Sequence, residues 1–332
     1  MTRPSQKIAL FADKDNRQIL MLREVLLEEG AVPLVFDMQL GGPSLPKVAL
    51  SSGELFWEGV DFSDITAVHI RSRVLGTPAV VPAVMSAATY SEVRGKYLRE
   101  HEYQAVAFSF LERLAAAGKL VVNKVLTGAY IDHDTKAQFY QKLRSLGFTA
   151  PKSMMTNDPQ RALAFIREVG QAVAKPSIGI GSTRMVTETD LGRLEELCLC
   201  PVLMQEFFAG DTLRVHIVGD TVVLALKIIS SGDVDSRTLP KGFEYFKLPD
   251  EEEQKIVRAN RMLGLHFATW DVLATQDGRY VYLDCNPGSF LLWIGEEYAR
   301  FVLRQLGIYM LGYARSGSID EASGKVKAWL PN

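Results

Sequence analysis

The sequence predicts an α/β fold with an α+β carboxyl-terminal part, and three observations support this prediction. The first 36 residues show a strand–helix–strand pattern, short apolar runs alternate with helical stretches to about residue 204, and hairpin signals follow. The chain has 332 residues, of which 47% are hydrophobic and 23% charged. This composition is typical of a globular protein, and this length predicts two domains, or three small ones.

The first element is a strand–helix–strand unit. Residues 7–11 form an apolar run, residues 18–29 carry apolar side chains at helical spacing, and residues 33–36 form a second apolar run. Such a unit pairs its strands in parallel, so we predict an open parallel sheet. The turn after the first strand lacks the Gly-x-Gly-x-x-Gly of dinucleotide-binding proteins, which disfavours a nicotinamide-dependent dehydrogenase.

A further strand at residues 65–70 runs into two arginines, Arg71 and Arg73. Open α/β sheets bind ligands at the carboxyl ends of their strands, so the pair is a candidate anion contact, with solvated surface arginines as the alternative. The remaining elements are predicted at residues 90–117, 120–123, 134–146, 151–155, 159–169, 171–175, near 185, 190–197 and 201–204. From there the pattern becomes antiparallel.

Charge and cysteine content exclude several classes of protein. The 37 Lys and Arg against 39 Asp and Glu give a net charge of −2, so we expect no nucleic-acid partner. Cys198, Cys200 and Cys285 lack the spacing of a disulfide framework or a zinc site, and we interpret them as reduced core thiols. With no signal-peptide core and no apolar run near ~18 residues, we expect a cytoplasmic protein without a membrane partner.

A glycine-rich segment, residues 174–185, is the first candidate site. Lys175 ends a predicted strand, and Gly179, Gly181 and Ser182 follow it. Glycines let successive backbone N–H groups point at one anion, and the lysine adds a charge, so the loop can cradle phosphate. A glycine-rich hairpin without a ligand is the alternative.

A second candidate site lies in a hairpin whose predicted turn is Asp277-Gly278. With these two residues as the loop, Asp271 faces Asp284, and Asn286 lies on the same face. Two opposed carboxylates repel each other, so we expect a positive charge between them. Two carboxylates and an amide suit Mg²⁺, and a solvated hairpin is the alternative.

A third candidate is the hairpin around Gly219-Asp220. A two-residue turn there predicts that Arg214 faces Ala225 and that Lys227 and His216 share its side. Such a surface suits a phosphate or an oxyanion, and solvent-facing cations are the alternative.

In this order and spacing, the residues resemble the ATP-grasp superfamily, specifically its glutathione-synthetase-like branch with the ribosomal-protein glutamate ligases and graspetide ligases. The resemblance is strongest over residues 123–297. It implies an ATP-grasp fold with an amino-terminal open parallel-sheet (pre-ATP-grasp) domain at 1–120. A central subdomain with the glycine-rich lid follows at 121–204, and a carboxyl-terminal subdomain with the metal site occupies 205–332.

The resemblance also implies roles for individual residues. Those implied at the nucleotide are Lys136, Lys175, Gly179, Gly181, Ser182, Gln205, Glu206, Phe207, Phe208 and Asp211. Lys136 and Lys175 match the two ATP lysines, residues 205–208 match the linker that meets adenine, and Asp211 is a candidate ribose contact. The implied metal ligands are Asp271, Asp284 and Asn286, and the implied catalytic residues are Arg214, Lys227 and Arg237.

The sequence departs from the family pattern at three places. Asp284 stands where most members have Glu, and Thr212 stands where many relatives have Asp. Ser236 replaces the Trp of the graspetide Asp-Trp-Arg motif.

The resemblance implies an ATP-dependent carboxylate–amine ligase that forms an amide or ester through an acylphosphate and releases ADP and phosphate. Mg²⁺ is the expected metal, with Mn²⁺ as the alternative. The acceptor is a small amino acid or a peptide or protein. The sequence does not decide whether the protein forms a homo-oligomer. It also assigns no role to Arg71, Arg73 or His216. Two other functions remain: a phosphotransferase on the same fold, and a catalytically inactive nucleotide-binding regulatory protein.

Overall fold

The structure is a computed structural model that describes residues 6–38, 45–51, 53–71, 87–124, 136–176, 182–230 and 240–331. The chain divides into two compact units. The first unit is Met1–Leu126 with Phe290–Lys327, and the second is Thr127–Ser289 with Ala328–Asn332. The three-domain division at residues 120 and 204 stays a prediction, and the structure adds that Phe290–Lys327 belongs to the same unit as the amino-terminal sheet.

The helices and strands of the described residues are β1 (Lys7–Ala12), α1 (Arg17–Glu28), β2 (Val32–Asp37), β3 (Val48–Leu50), β4 (Leu55–Trp57), β5 (Val60–Asp61), β6 (Ala67–Ile70), α2 (Ala87–Ala116), β7 (Leu120–Val122), α3 (Lys136–Ser145), β8 (Ser153–Thr156), α4 (Pro159–Val169), β9 (Ala172–Lys175), β10 (Arg184–Met185), α5 (Glu188–Leu191), β11 (Val202–Glu206), β12 (Asp211–Val218), β13 (Thr221–Ile229), β14 (Gly242–Tyr245), α6 (Asp250–Met262), β15 (Phe267–Ala274), β16 (Tyr280–Asn286), α7 (Glu296–Ser316) and α8 (Ile319–Ser323). Two 3₁₀ helices lie at Leu194–Leu199 and Leu292–Ile294.

The amino-terminal unit is built on a parallel sheet with the strand order β2-β1-β6-β7, as the sequence predicts. Asn16 begins α1, because its side-chain oxygen accepts the backbone N–H groups of Gln18 and Ile19. The sheet packs against an aromatic cluster in which the ring centroid of Phe11 lies 5.0 Å from that of Phe36 and 5.1 Å from that of Trp57. Helix α7 joins this unit by packing on α1.

The described residues of the second unit form two antiparallel sheets, with the orders β10-β9-β11-β8 and β14-β13-β12-β15-β16. The antiparallel pattern therefore begins earlier than predicted, since β8, β9 and β11 already pair in this way. One face of the five-stranded sheet covers an apolar core with Trp270, Val215 and Val272. This core fixes which face of the sheet is left for polar side chains.

Two local predictions need correction. The predicted helix at 190–197 is a short α5 followed by a 3₁₀ helix, with Gly192, a poor helix former, between them. Cys285 is a core thiol, but Cys198 and Cys200 are exposed, because none of the 3₁₀ helix at Leu194–Leu199 is buried. Within the described ranges, no helix has the length and apolar character needed to span a bilayer.

Candidate functional site

Three neighbouring strands place a block of polar side chains on one face of the five-stranded sheet. Residues paired across a ladder point to the same face. One row across β12, β15 and β16 is therefore Arg214, Asp271 and Asp284, and the next row is His216, Thr269 and Asn286. The opposite face carries the apolar core, so the sheet separates the candidate site from that core.

The predicted pairing of Asp271 with Asp284 is confirmed, but the predicted two-residue turn is wrong. The backbone N–H of Thr275 donates to the Arg279 carbonyl at 2.9 Å, which leaves a three-residue loop, and Gly278 adopts the positive φ that this loop needs. A one-residue register shift between Asp271 and Val272 offsets the longer loop. The two changes cancel, so the carboxylates still face each other.

In the β12–β13 hairpin the predicted turn is confirmed and the predicted facing pair is wrong. Val218 pairs with Thr221 around Gly219-Asp220, but a register shift follows between His216 and Ile217. Arg214 therefore faces Leu226 rather than Ala225, and Lys227 faces Leu213. Lys227 consequently lies on the other face from Arg214, where its Nζ pairs with Asp211 Oδ2 at 2.7 Å.

Each carboxylate of the central row already has a cationic partner. Arg214 Nη1 lies 2.5 Å from Asp271 Oδ1, and Lys136 Nζ lies 2.8 Å from Asp284 Oδ2. Lys136 and Arg214 are buried, and the Arg214 Nη2 group also donates to Ser289 Oγ at 3.1 Å. The expected positive charge is thus supplied here by two side chains, and these are the cations predicted to bind phosphate.

The two predicted ATP lysines are linked through a tyrosine. Tyr140 lies one turn after Lys136 on α3, and its hydroxyl donates to the Leu283 carbonyl of β16 at 2.8 Å. Lys175 Nζ, at the end of β9, donates to the Tyr140 hydroxyl at 2.9 Å. Lys136, Lys175 and Asp284 are therefore gathered around one strand end.

The residues predicted at adenine lie at the end of strand β11, which carries Gln205 and Glu206, and directly after it, at Phe207 and Phe208. Gln205 is buried, and among the described residues its Nε2 group has no hydrogen-bond partner. Glu206 Oε2 accepts the backbone N–H of Lys152 at 3.2 Å, and the Phe207 N–H donates to the Gln171 carbonyl at 3.0 Å. The Phe208 ring lies 5.6 Å from the Arg279 guanidinium.

Asp211 is positioned by the glycine before it. A Cβ at Gly210 would lie 2.6 Å from the Ala274 carbonyl oxygen, so only glycine lets β12 start this close to the end of β15. Asp211 therefore lies at the start of the central strand β12 beside Lys227, and its carboxylate raises the pKa of that lysine.

The second polar row is held by its own hydrogen bonds. His216 Nδ1 lies 2.9 Å from Thr269 Oγ1, and burial, reinforced by the Arg214 charge, lowers the pKa of His216 to about 3. Asn286 Oδ1 accepts the Gly288 N–H at 2.9 Å, which orients the amide. Across the described ranges, no group of three or more His, Cys, Asp and Glu side chains is arranged to hold a metal ion.

Several predicted positions lie outside the described residues: Gly179, Gly181, Arg237 and Arg73. Ser182 is described and exposed, and Arg71 is half-buried after β6, where its N–H donates to the Phe11 carbonyl. Tyr140 was not among the site residues predicted from the sequence. The i, i+4 spacing of Tyr140 from Lys136 was an available signal.

Comparison with known proteins gives a domain match over most of the second unit and further matches over larger parts of the chain. Residues 133–292 match the RimK-like ATP-grasp domain. The chain is 25% identical over 236 residues to the Probable alpha-L-glutamate ligase of Stutzerimonas stutzeri (strain A1501), covering 67% of this chain and 73% of the relative. It is 26% identical over 237 residues to the Probable alpha-L-glutamate ligase 1 of Hahella chejuensis (strain KCTC 2396), covering 67% and 72%.

Solved structures agree with this match. The ATP-grasp ligase PsnB, complexed with a phosphomimetic variant of its minimal precursor, Mg and ADP, is 28% identical with a TM-score of 0.78, covering 94% of this chain and 99% of that one. The macrocyclase MdnC of Microcystis aeruginosa MRC, bound with the precursor peptide MdnA, has a TM-score of 0.70 at 20% identity, covering 90% and 98%. The predicted ATP-grasp fold is confirmed.

Proposed function

From the premise that this chain is an ATP-grasp ligase with a RimK-like ATP-grasp domain, we propose that it joins a carboxylate and an amine of a peptide substrate. ATP-dependent amide-bond formation is the activity of this family, and the phosphotransferase and inactive-protein alternatives are not favoured. One observation carries the proposed site: Asp271 and Asp284 face each other, and each is neutralised by a cation that matches a phosphate-binding residue.

The residues present fit Mg²⁺ and ATP. Asp271, Asp284 and Asn286 offer oxygen ligands of the kind Mg²⁺ prefers, and Mn²⁺ stays the alternative. The buried Gln205 Nε2 group supports adenine binding, because a buried amide N–H gains from an acceptor such as a ring nitrogen. Lys136, Lys175 and Arg214 supply the charge that a triphosphate needs.

When bound, ATP would supply the γ-phosphoryl group that turns the carboxylate into an acylphosphate with ADP as the leaving group. The amine would then displace phosphate and give up a proton as the amide forms, and Mg²⁺ would offset phosphate charge. Arg214 and Lys136 would exchange carboxylate partners for phosphate oxygens and stabilise the transferring charge. His216, with a pKa of about 3, is neutral at neutral pH and adds no charge beside Arg214. Gly179, Gly181 and Ser182 are proposed to cover the phosphates and exclude water.

The peptide acceptor is supported by relatives rather than by a pocket of this chain. PsnB has been solved with a minimal precursor and with the precursor peptide PsnA2. Its identity to this chain, 28–29%, is higher than that of the α-L-glutamate ligases. We propose that Arg237 acts on the acceptor, whereas the position of Lys227 on the face opposite Arg214 does not support its predicted catalytic role.

The test is mass spectrometry of the products formed from protein, ATP, Mg²⁺ and either an acidic peptide with lysine or free glutamate with an amine. We expect a loss of one water from the peptide, with ADP formed in equal amount. Product from free amino acids alone would overturn the peptide acceptor, and AMP in place of ADP would overturn the acylphosphate.

A further inference from the structure

Tyr140 joins three groups of the candidate site that lie far apart in sequence. It lies on α3, four residues after Lys136, which pairs with Asp284. Its hydroxyl donates to the carbonyl of Leu283, the residue before Asp284, and accepts the Lys175 ammonium. Helix α3 thus contacts β16 through both Lys136 and Tyr140, and it contacts β9 through Tyr140.

The chemistry of the tyrosine suits this position. Its side chain is fully buried, and its hydroxyl acts as donor and acceptor at the same time, which phenylalanine cannot do. A flexible lysine is thereby held next to the strand that carries the predicted metal ligands.

We propose that Tyr140 is a positioning residue that preorganises Lys175 for nucleotide, an inference that rests on the proposed function. A lysine side chain loses rotamer freedom when it is fixed on phosphate, and a lysine that is already fixed loses less. The Tyr140 hydroxyl therefore acts on nucleotide affinity through Lys175. It touches neither substrate nor reacting atoms in this role.

The test is a double-mutant cycle on binding of ADP with Mg²⁺, measured by titration calorimetry on the whole chain. The variants are Tyr140→Phe, Lys175→Ala and both together. Tyr282→Phe is the matched control, because Tyr282 is also fully buried and also loses a hydrogen-bonded hydroxyl, yet its partner is Glu252. Thermal melting of each variant reports the purely structural effect.

We expect Tyr140→Phe to bind ADP roughly fivefold to tenfold more weakly, the scale of one side chain left mobile. In the Lys175→Ala background, Tyr140→Phe should weaken ADP binding by less than about a further twofold. Tyr282→Phe should leave ADP affinity unchanged. Equal weakening in both backgrounds, or no weakening, overturns the positioning role. Wild-type protein that binds no ADP with Mg²⁺ overturns the proposed function itself and this inference with it.

A second measurement does not depend on the Tyr140 variant folding. In protein labelled with ¹³C at lysine Cε, the Lys175 resonance is assigned by its loss in Lys175→Arg. A lysine held by the Tyr140 hydroxyl shows restricted Cε motion in ¹³C relaxation of the nucleotide-free protein, and its motion stays restricted when ADP and Mg²⁺ bind. A Lys175 side chain that is as mobile as the exposed lysines in the nucleotide-free protein overturns the proposal.

Discussion

Two cation–carboxylate pairs occupy opposite faces of the five-stranded sheet, and they differ in burial more than in geometry. Arg214 and Asp271 lie 2.5 Å apart, with side chains 8% and 21% exposed. Lys227 and Asp211 lie 2.7 Å apart, with side chains 32% and 53% exposed. A buried charge that loses its partner has no water to replace it, whereas an exposed charge does. Burial therefore decides which pair the site depends on.

The largest expected effect follows from Asp271→Asn, which breaks the buried pair at its carboxylate. We expect turnover at saturating Mg²⁺ to fall by more than about 100-fold, because even outer-shell partners of a metal cost up to that factor. The measurement is ADP release with substrate present. Asp277→Asn makes the same change in the exposed loop of the same hairpin and should retain turnover; equal losses in both variants would contradict the assignment.

Breaking the same pair at the cation gives the next effect. Arg214→Met leaves Asp271 without its counterion on a largely buried face, so the free energy of unfolding in urea should fall by about 3 kcal/mol. Arg279→Met removes an exposed arginine paired with Asp277 and should change the free energy of unfolding by less than about 1 kcal/mol. Similar values for both would show that burial does not separate the two kinds of pair.

The burial behind the first pair also sets a pH dependence through His216. Its pKa is about 3 in the folded protein against an ordinary 6.5. The unfolded chain therefore binds the proton first, and this contribution to stability is complete above pH 6.5 and is lost as pH falls toward 3. His216→Asn should flatten the decline in unfolding free energy by roughly 1 kcal/mol per pH unit in this window. If the unfolding free energies of the wild type and His216→Asn fall in parallel with pH, His216 does not cause the decline. His69 is also buried with a pKa of about 4, but it contributes equally to the wild type and the variant.

The smallest effect is expected from the exposed pair. Lys227→Ala should lower the unfolding free energy by less than about 1 kcal/mol, and 1 M NaCl should remove most of the difference. Urea titrations at two salt concentrations measure this. A loss as large as that of Arg214→Met would erase the contrast between the pairs.

The hairpins show how far the sequence predicts this arrangement. The turn residues and the alternation of apolar and polar side chains predict both hairpins, and they predict that Asp271 and Asp284 face each other. They do not show the register shifts after His216 and Asp271, because bulges depend on how a strand packs against its sheet neighbours. In β15–β16 the shift was offset by a longer loop, whereas in β12–β13 it moved Lys227 to the other face.

The partners of the cations were beyond sequence reasoning for a different reason. Lys136 and Asp284 are 148 residues apart in the chain, and Lys175 and Tyr140 are 35 apart. Sequence patterns identify each cation as a candidate, but only the packing of α3 on β16 shows which carboxylate it neutralises. Tyr140 fits the apolar pattern of a buried helix face, so apart from its i, i+4 spacing from Lys136 the sequence gives no indication that it belongs to the site.

A structure of the whole chain with ADP and Mg²⁺ tests the central claim most directly. We expect a metal ion bound by Asp271 and Asp284, with Lys136 and Arg214 moved from those carboxylates onto phosphate oxygens. Nucleotide bound elsewhere, or both ion pairs intact with nucleotide present, would contradict it.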